Sequence, residues 1–140
     1  MKRFFFSNST TATPASLGLL LLRVTFGLAM LLGHGWGKLI SFSDKAGGFA
    51  DPLGIGSRPS LILVVFAEVF CAALVTVGLL TRAALIPLIV TMAVAAFVIH
   101  GSHPWFGASP SKEMALLFLT AYAALLAAGP GKYSIDHLIK

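Results

Sequence analysis

Four apolar runs, each close to the length of a bilayer crossing, dominate this chain of 140 residues. The first covers residues 15–40 and weakens after Leu32; the others cover 59–80, 83–100 and 112–128. A helix needs ~20 such residues to cross ~30 Å of hydrocarbon, and each run approaches that length. Barrel strands are excluded, because they need only about ten residues of alternating polarity. Composition agrees with the runs. The chain is 57% hydrophobic and 11% charged, with a mean hydropathy of +0.91. A soluble domain is about 25% charged, and a chain this short has little interior to hide such a surplus of apolar surface. Lipid is the solvent that accepts it. The expected fold is therefore an all-α membrane protein: a four-transmembrane-helix antiparallel bundle with both termini on the same side.

The punctuation between runs divides the chain. Residues 1–14 are a polar N-terminal segment, 15–131 the transmembrane domain and 132–140 a C-terminal tail. Asp51-Pro52, Gly54, Gly56 and Ser57-Arg58-Pro59 close the first loop and seed the second helix. Thr81-Arg82 makes a tight turn, and Pro104 and Pro110 mark a loop before the fourth helix. Gly129-Pro130-Gly131 stops that helix, and Pro87 predicts a kink or late start in the third. Met1-Lys2-Arg3 followed by three phenylalanines could open a signal peptide. The run from Leu17 leads into Gly33-His34-Gly35-Trp36 rather than a small-x-small cleavage site, so a retained helix is expected.

Ten Lys and Arg stand against five Asp and Glu. The basic residues are dispersed, which excludes a nucleic-acid footprint and suits anionic lipid headgroups. Five basic residues (Lys2, Arg3, Arg82, Lys132, Lys140) fall on the terminal side and four on the other. The positive-inside rule then puts the termini in the cytoplasm. Cys71 is the only cysteine, so neither an internal disulfide nor a CxxC redox pair can form.

Arg23 and Glu68 sit inside apolar runs, where a charge costs about 2.5–3.5 kcal/mol to insert. Such groups turn inward and usually pair. Counted from the same face, Arg23 lies ~10 Å deep and Glu68 ~18 Å at 1.5 Å per residue, a difference that a long arginine could bridge. An Arg23–Glu68 ion pair is expected. Arg23, Gly27, Met30 and His34 share one helix face, with Lys38 one turn on. His100 closes the third helix and Glu113 opens the fourth. The candidate intramembrane pocket is thus Arg23, His34, Lys38, Glu68, His100 and Glu113, with Trp36 and Trp105 at its rim and His103 and Lys112 nearby. Two bland alternatives stand beside it. A buried pair can fix helix register without chemistry, and His, Lys and Trp near helix ends are routine interface anchors. No HxxH or HxxxH spacing supports a metal, and no nucleotide, flavin or haem motif appears.

Taken in order, these residues make the chain resemble the DoxX family of small bacterial membrane proteins. The likeness runs from Leu22-Arg23 through His34-Gly35-Trp36-Gly37-Lys38, Glu68 and Gly78-Leu79-Leu80-Thr81-Arg82. It continues with His100, Glu113 and Gly129-Pro130-Gly131-Lys132-Tyr133-Ser134-Ile135-Asp136. Phe70-Cys71 after Glu68 departs from the family's small residues there. The resemblance implies a multi-pass protein of the bacterial inner membrane. Some relatives are linked to thiosulfate oxidation with quinone as acceptor, others to redox-stress complexes. Two roles follow from it: a redox-linked subunit whose cavity takes a quinone or a small sulfur species, and a non-catalytic accessory subunit holding other membrane protein subunits together. Whether the chain is an enzyme stays open at this point.

Overall fold

The computed structural model describes residues 13–139, which are helical with connecting turns and loops and contain no strand. The polar segment at residues 1–12, with Lys2 and Arg3, and the terminal Lys140 lie outside the described residues. Helix α1 spans Thr13–Ile40, followed by the short α2 at Phe42–Lys45. Helices α3 and α4 span Ser57–Val77 and Thr81–Ile99. Helix α5 is Glu113–Ala128, and one further turn, α6, is Ile135–Leu138. Helices α1, α3 and α4 are long and apolar enough to cross a membrane, and α5 is a shorter apolar helix. Their outward faces carry large apolar side chains such as Leu21, Leu32, Ile62 and Phe97, the surface lipid prefers.

The helix ends follow local chemistry. Gly78 adopts the left-handed conformation at φ 77 and ends α3, and Leu80 follows it at φ 49. The turn between α3 and α4 is therefore Gly78–Leu80, and Thr81-Arg82, expected to form it, already belongs to α4. Helix α4 runs through Pro87 without a late start; the proline falls inside it. Gly129, at φ 86, ends α5.

Helix α1 packs on α3, α3 on α4, α4 on α5, and α5 back on α1. The core between them holds Met30, Cys71, Leu85, Leu88, Phe118 and Tyr122. The Tyr122 hydroxyl donates to the Phe26 carbonyl at 3.2 Å, so its polar end is satisfied inside an apolar interior. Contacts between α1 and α3 run in opposite directions along the two helices. Arg23 meets Thr76, Gly27 meets Ala72 and Thr76, and Gly35 meets Glu68.

Each of the three long helices contains a π-helical turn, at Leu31–Gly35, Phe66–Cys71 and Ala95–Ile99. Such turns are uncommon and concentrate at functional sites, because they widen the helix and shift side-chain register. The first two pack directly on each other. Gly35 makes that approach possible. A Cβ there would stand 2.5 Å from the Glu68 carbonyl oxygen and 2.7 Å from its carbon. Backbone, unlike a flexible side chain, cannot step aside. Gly35→Ala should therefore push α1 from α3 and cost roughly 1–3 kcal/mol by overpacking. Unfolding of the detergent-solubilised variant checks this, and the unaltered control is Gly33→Ala, where the space is open.

Candidate functional site

The two intramembrane charges do not meet. Arg23 is 1% exposed and spends its guanidinium on backbone carbonyls: Nη1 donates to Pro130 at 2.6 Å, Nη2 to Tyr133 at 2.5 Å, and Nε to Thr76 at 3.4 Å. Gly78 lies beneath it, where a Cβ would stand 2.6 Å from Nη1. Asp136 completes this end. Its carboxylate accepts from the N–H groups of Leu80 at 2.7 Å and Thr81 at 2.9 Å, capping α4, while its own N–H donates to Gly78 at 2.8 Å. The segment after α5 is thereby clasped to α1, α3 and α4.

The expected Arg23–Glu68 pair fails for a reason of direction. Side chains on a helix lean toward its N-terminus. With α1 and α3 in opposite senses, Arg23 leans away from Glu68, and Glu68 leans away from Arg23. Thr76, not Glu68, lies level with Arg23, and eight residues of helix are ~12 Å. The same lean brings Lys38 and Glu68 together. Lys38 Nζ donates to Glu68 Oε2 at 2.5 Å, with side chains 24% and 5% exposed respectively. A further contact joins Nζ to the His34 carbonyl at 3.4 Å.

This ion pair ends a cavity of about 330 Å³. Leu63 and Val64 of α3 and Val90, Thr91 and Val94 of α4 form its walls. Phe49, Pro52, Leu53 and Ile55, from the loop between α2 and α3, form a roof. Asp51 holds that loop in shape. Its Oδ2 accepts from the Gly56 N–H at 2.7 Å, and Oδ1 from the Ile55 N–H at 2.9 Å and the Ser60 hydroxyl at 3.0 Å. The Gly56 N–H first, then the Ser60 hydroxyl and the Ile55 N–H, hold the Asp51 carboxyl below its ordinary value.

Of the six candidate residues the structure joins two. Lys38 and Glu68 share the cavity; Arg23 belongs to the opposite end. His34 is exposed and turns its ring edge to Phe118 on α5, with centroids 5.4 Å apart. His100 contacts His103, Nδ1 to Nδ1 at 3.0 Å, a contact that needs one of the two nitrogens protonated. Glu113 accepts from the Gly107 N–H at 3.2 Å at the start of α5. Trp105 lies under the Lys112 ammonium at 4.6 Å and belongs to the loop before α5. Neither Trp36 nor Trp105 lines the cavity. Thr91 and the roof residues also line the cavity and carry no comparable signal in the sequence. Asp51-Pro52-Leu53-Gly54-Ile55-Gly56 looks like loop punctuation, and only the apolar Leu53 and Ile55 inside it hint at an apolar lining.

The family model described as DoxX matches residues 18–101. No curated protein and no solved structure matches.

Two consequences are open to measurement. Arg23→Gln strands carbonyls that the guanidinium now satisfies, at roughly 1–3 kcal/mol for each buried polar group left unmade. Equilibrium unfolding should show a loss of about that size or more, while the cavity end, followed through Lys38 and Glu68, stays intact. The roof should depend on pH. Because the folded Asp51 value lies below the ordinary 3.8, its stabilising effect is full above that value and is lost as pH falls through the lower, folded one. Amide resonances of Ile55 and Gly56 should titrate together with a midpoint under 3.8.

Proposed function

Because the chain belongs to the DoxX family and is a multi-pass membrane protein, we propose that it is a redox-linked membrane subunit that binds a quinone in the Lys38–Glu68 cavity. The proposed setting is the bacterial inner membrane, with α1, α3, α4 and α5 crossing as an antiparallel bundle and the termini together in the cytoplasm. The opposed contacts of α1 and α3, and the short turn Gly78–Leu80 between α3 and α4, support that arrangement.

One observation carries the ligand reading: an apolar cavity that ends in a nearly buried ion pair. A quinone has the same two parts, an apolar ring and tail and a carbonyl that accepts hydrogen bonds. An ammonium has three donors. Lys38 uses one on Glu68 and directs another at the His34 carbonyl, which leaves one for a quinone oxygen. Glu68 Oε1 can accept from the hydroxyl of the reduced form, and Lys38, at 24% exposure, links it to water for proton exchange. Electrons come from a donor outside the cavity. A small sulfur anion suits the site less. Its charge would need a cation in excess, whereas Lys38 is already neutralised and the walls are apolar.

Calorimetry in nanodiscs with a short-tailed quinone tests this. The unaltered protein should bind with a saturable isotherm. Lys38→Met, which removes a charge-assisted hydrogen bond of about 1.5–3 kcal/mol, should weaken binding about tenfold or more. Absence of saturable binding to benzoquinone and naphthoquinone types alike, in folded protein, overturns the reading.

A further inference from the structure

The exposure of the cavity walls bears on the route into it. Leu63 on α3 and Val90 on α4 both line it, and both are 54% exposed. Each lies inside a helix long and apolar enough to cross the bilayer, several residues from the helix end. An exposed residue at that position meets acyl chains rather than water. Thr91 and Val94, on the same helix and deeper, are only partly exposed. The cavity therefore has an opening on its lipid flank, between α3 and α4.

Its other side, at the helix ends, is lined by the loop before α3. Residues 49–55 cross it with Phe49, Pro52, Leu53 and Ile55, and the Asp51 carboxylate fastens that crossing through the N–H groups of Ile55 and Gly56 in the loop and the Ser60 hydroxyl of α3. A surface loop that faced only water would gain nothing from four apolar side chains turned to a cavity. Here they line the cavity beside its apolar walls, while Lys38, 24% exposed, keeps the ion pair within reach of water.

We infer that the site is filled sideways from the membrane, between Leu63 and Val90, while the Asp51-fastened loop bars water-soluble molecules from its apolar walls. The ligand is then an amphiphile dissolved in lipid, its polar head at Lys38 and its tail left among acyl chains. That head-and-tail assignment rests on the quinone reading; the lateral opening rests on the cavity alone. Leu63 and Val90, both lining the cavity and exposed, flank the opening.

Photolabelling tests the route without any quinone, so a failure of quinone binding and a failure of this inference can be told apart. The full chain is placed in nanodiscs whose phospholipid carries a diazirine midway along one acyl chain, and labelled residues are mapped by mass spectrometry. Leu21, 68% exposed on α1, reports ordinary lipid contact. The lipid reagent should label Thr91 and Ala95 as well as Leu21, and a charged, water-soluble diazirine should label neither wall residue. Val90→Trp should reduce labelling of Thr91 and Ala95 several-fold with Leu21 unchanged. Asp51→Asn should admit the water-soluble reagent to Thr91. The inference is overturned if the water-soluble reagent reaches Thr91 in the unaltered protein, or if the lipid reagent labels Leu21 but neither wall residue. Both of those results come from unaltered protein and do not depend on either variant folding.

Discussion

A guanidinium cannot stay in hydrocarbon without acceptors, and the way Arg23 finds them shapes the whole bundle. A membrane interior offers no water to satisfy five N–H groups, so protein must supply the oxygens. A single carboxylate would cancel the charge but leave most of the fork unsatisfied. Carbonyls of Thr76, Pro130 and Tyr133 converge from two directions instead. This requires the chain after α5 to fold back over the end of α1. Gly129, Pro130 and Gly131 make the reversal, since positive φ at both glycines releases the path that a helix would otherwise continue. Asp136 then caps α4 from the same segment. One buried charge thereby fixes the relation of α1, α3, α4 and the end of α5.

With Arg23 spent on backbone, Glu68 needs another cation, and Lys38 is the one within reach. The three π-helical turns bear on this. Those of α1 and α4 fall in the half of the helix nearer the Lys38–Glu68 pair, that of α3 lies at mid-helix and contains Glu68, and each widens the backbone where straight ridges would pack closed. Gly35 lets the first two turns touch, and the pair forms immediately beside that contact. The result is a division of labour along the bundle axis. One end is locked by charges bonded to backbone; the other holds a paired charge beside empty apolar space.

Helix content was legible from run length alone, because lipid imposes a minimum span that soluble helices lack. The identity of the awkward charges was equally plain. Their pairing was not, and the reason is physical. Counting residues along two helices gives depth but omits the lean of each side chain, which reverses sign between helices of opposite direction. For Arg23 and Glu68 the two leans add to a separation; for Lys38 and Glu68 they add to an approach. The roof was hidden for a different reason. Asp51, Gly54 and Gly56 carry the ordinary marks of a turn, and nothing local reveals that the same turn is stretched across a cavity. His34, His100 and Glu113 share an end of the bundle with that cavity, but helix rotation sends them to Phe118, His103 and Gly107.

The boundary of the family match sharpens this division. Every cavity-lining residue, from Lys38 to Ile99, falls within residues 18–101, whereas Pro130, Tyr133 and Asp136 fall beyond them. Helices α1, α3 and α4 and the loop before α3 thus build the cavity, and α5 with its following segment contributes bracing. Phe118 and Tyr122 of α5 press on Phe26 and on the inner faces of α1 and α4 without reaching the cavity. Bracing of this kind matters more in lipid than in water. Apolar surfaces gain little by leaving acyl chains, so packing and hydrogen bonds must hold helices together. A cavity between α3 and α4 forgoes part of that packing where it lies. The clasp at Arg23 offsets the loss at the far end of the same helices, and this lets an open, lipid-facing space persist without the bundle closing over it.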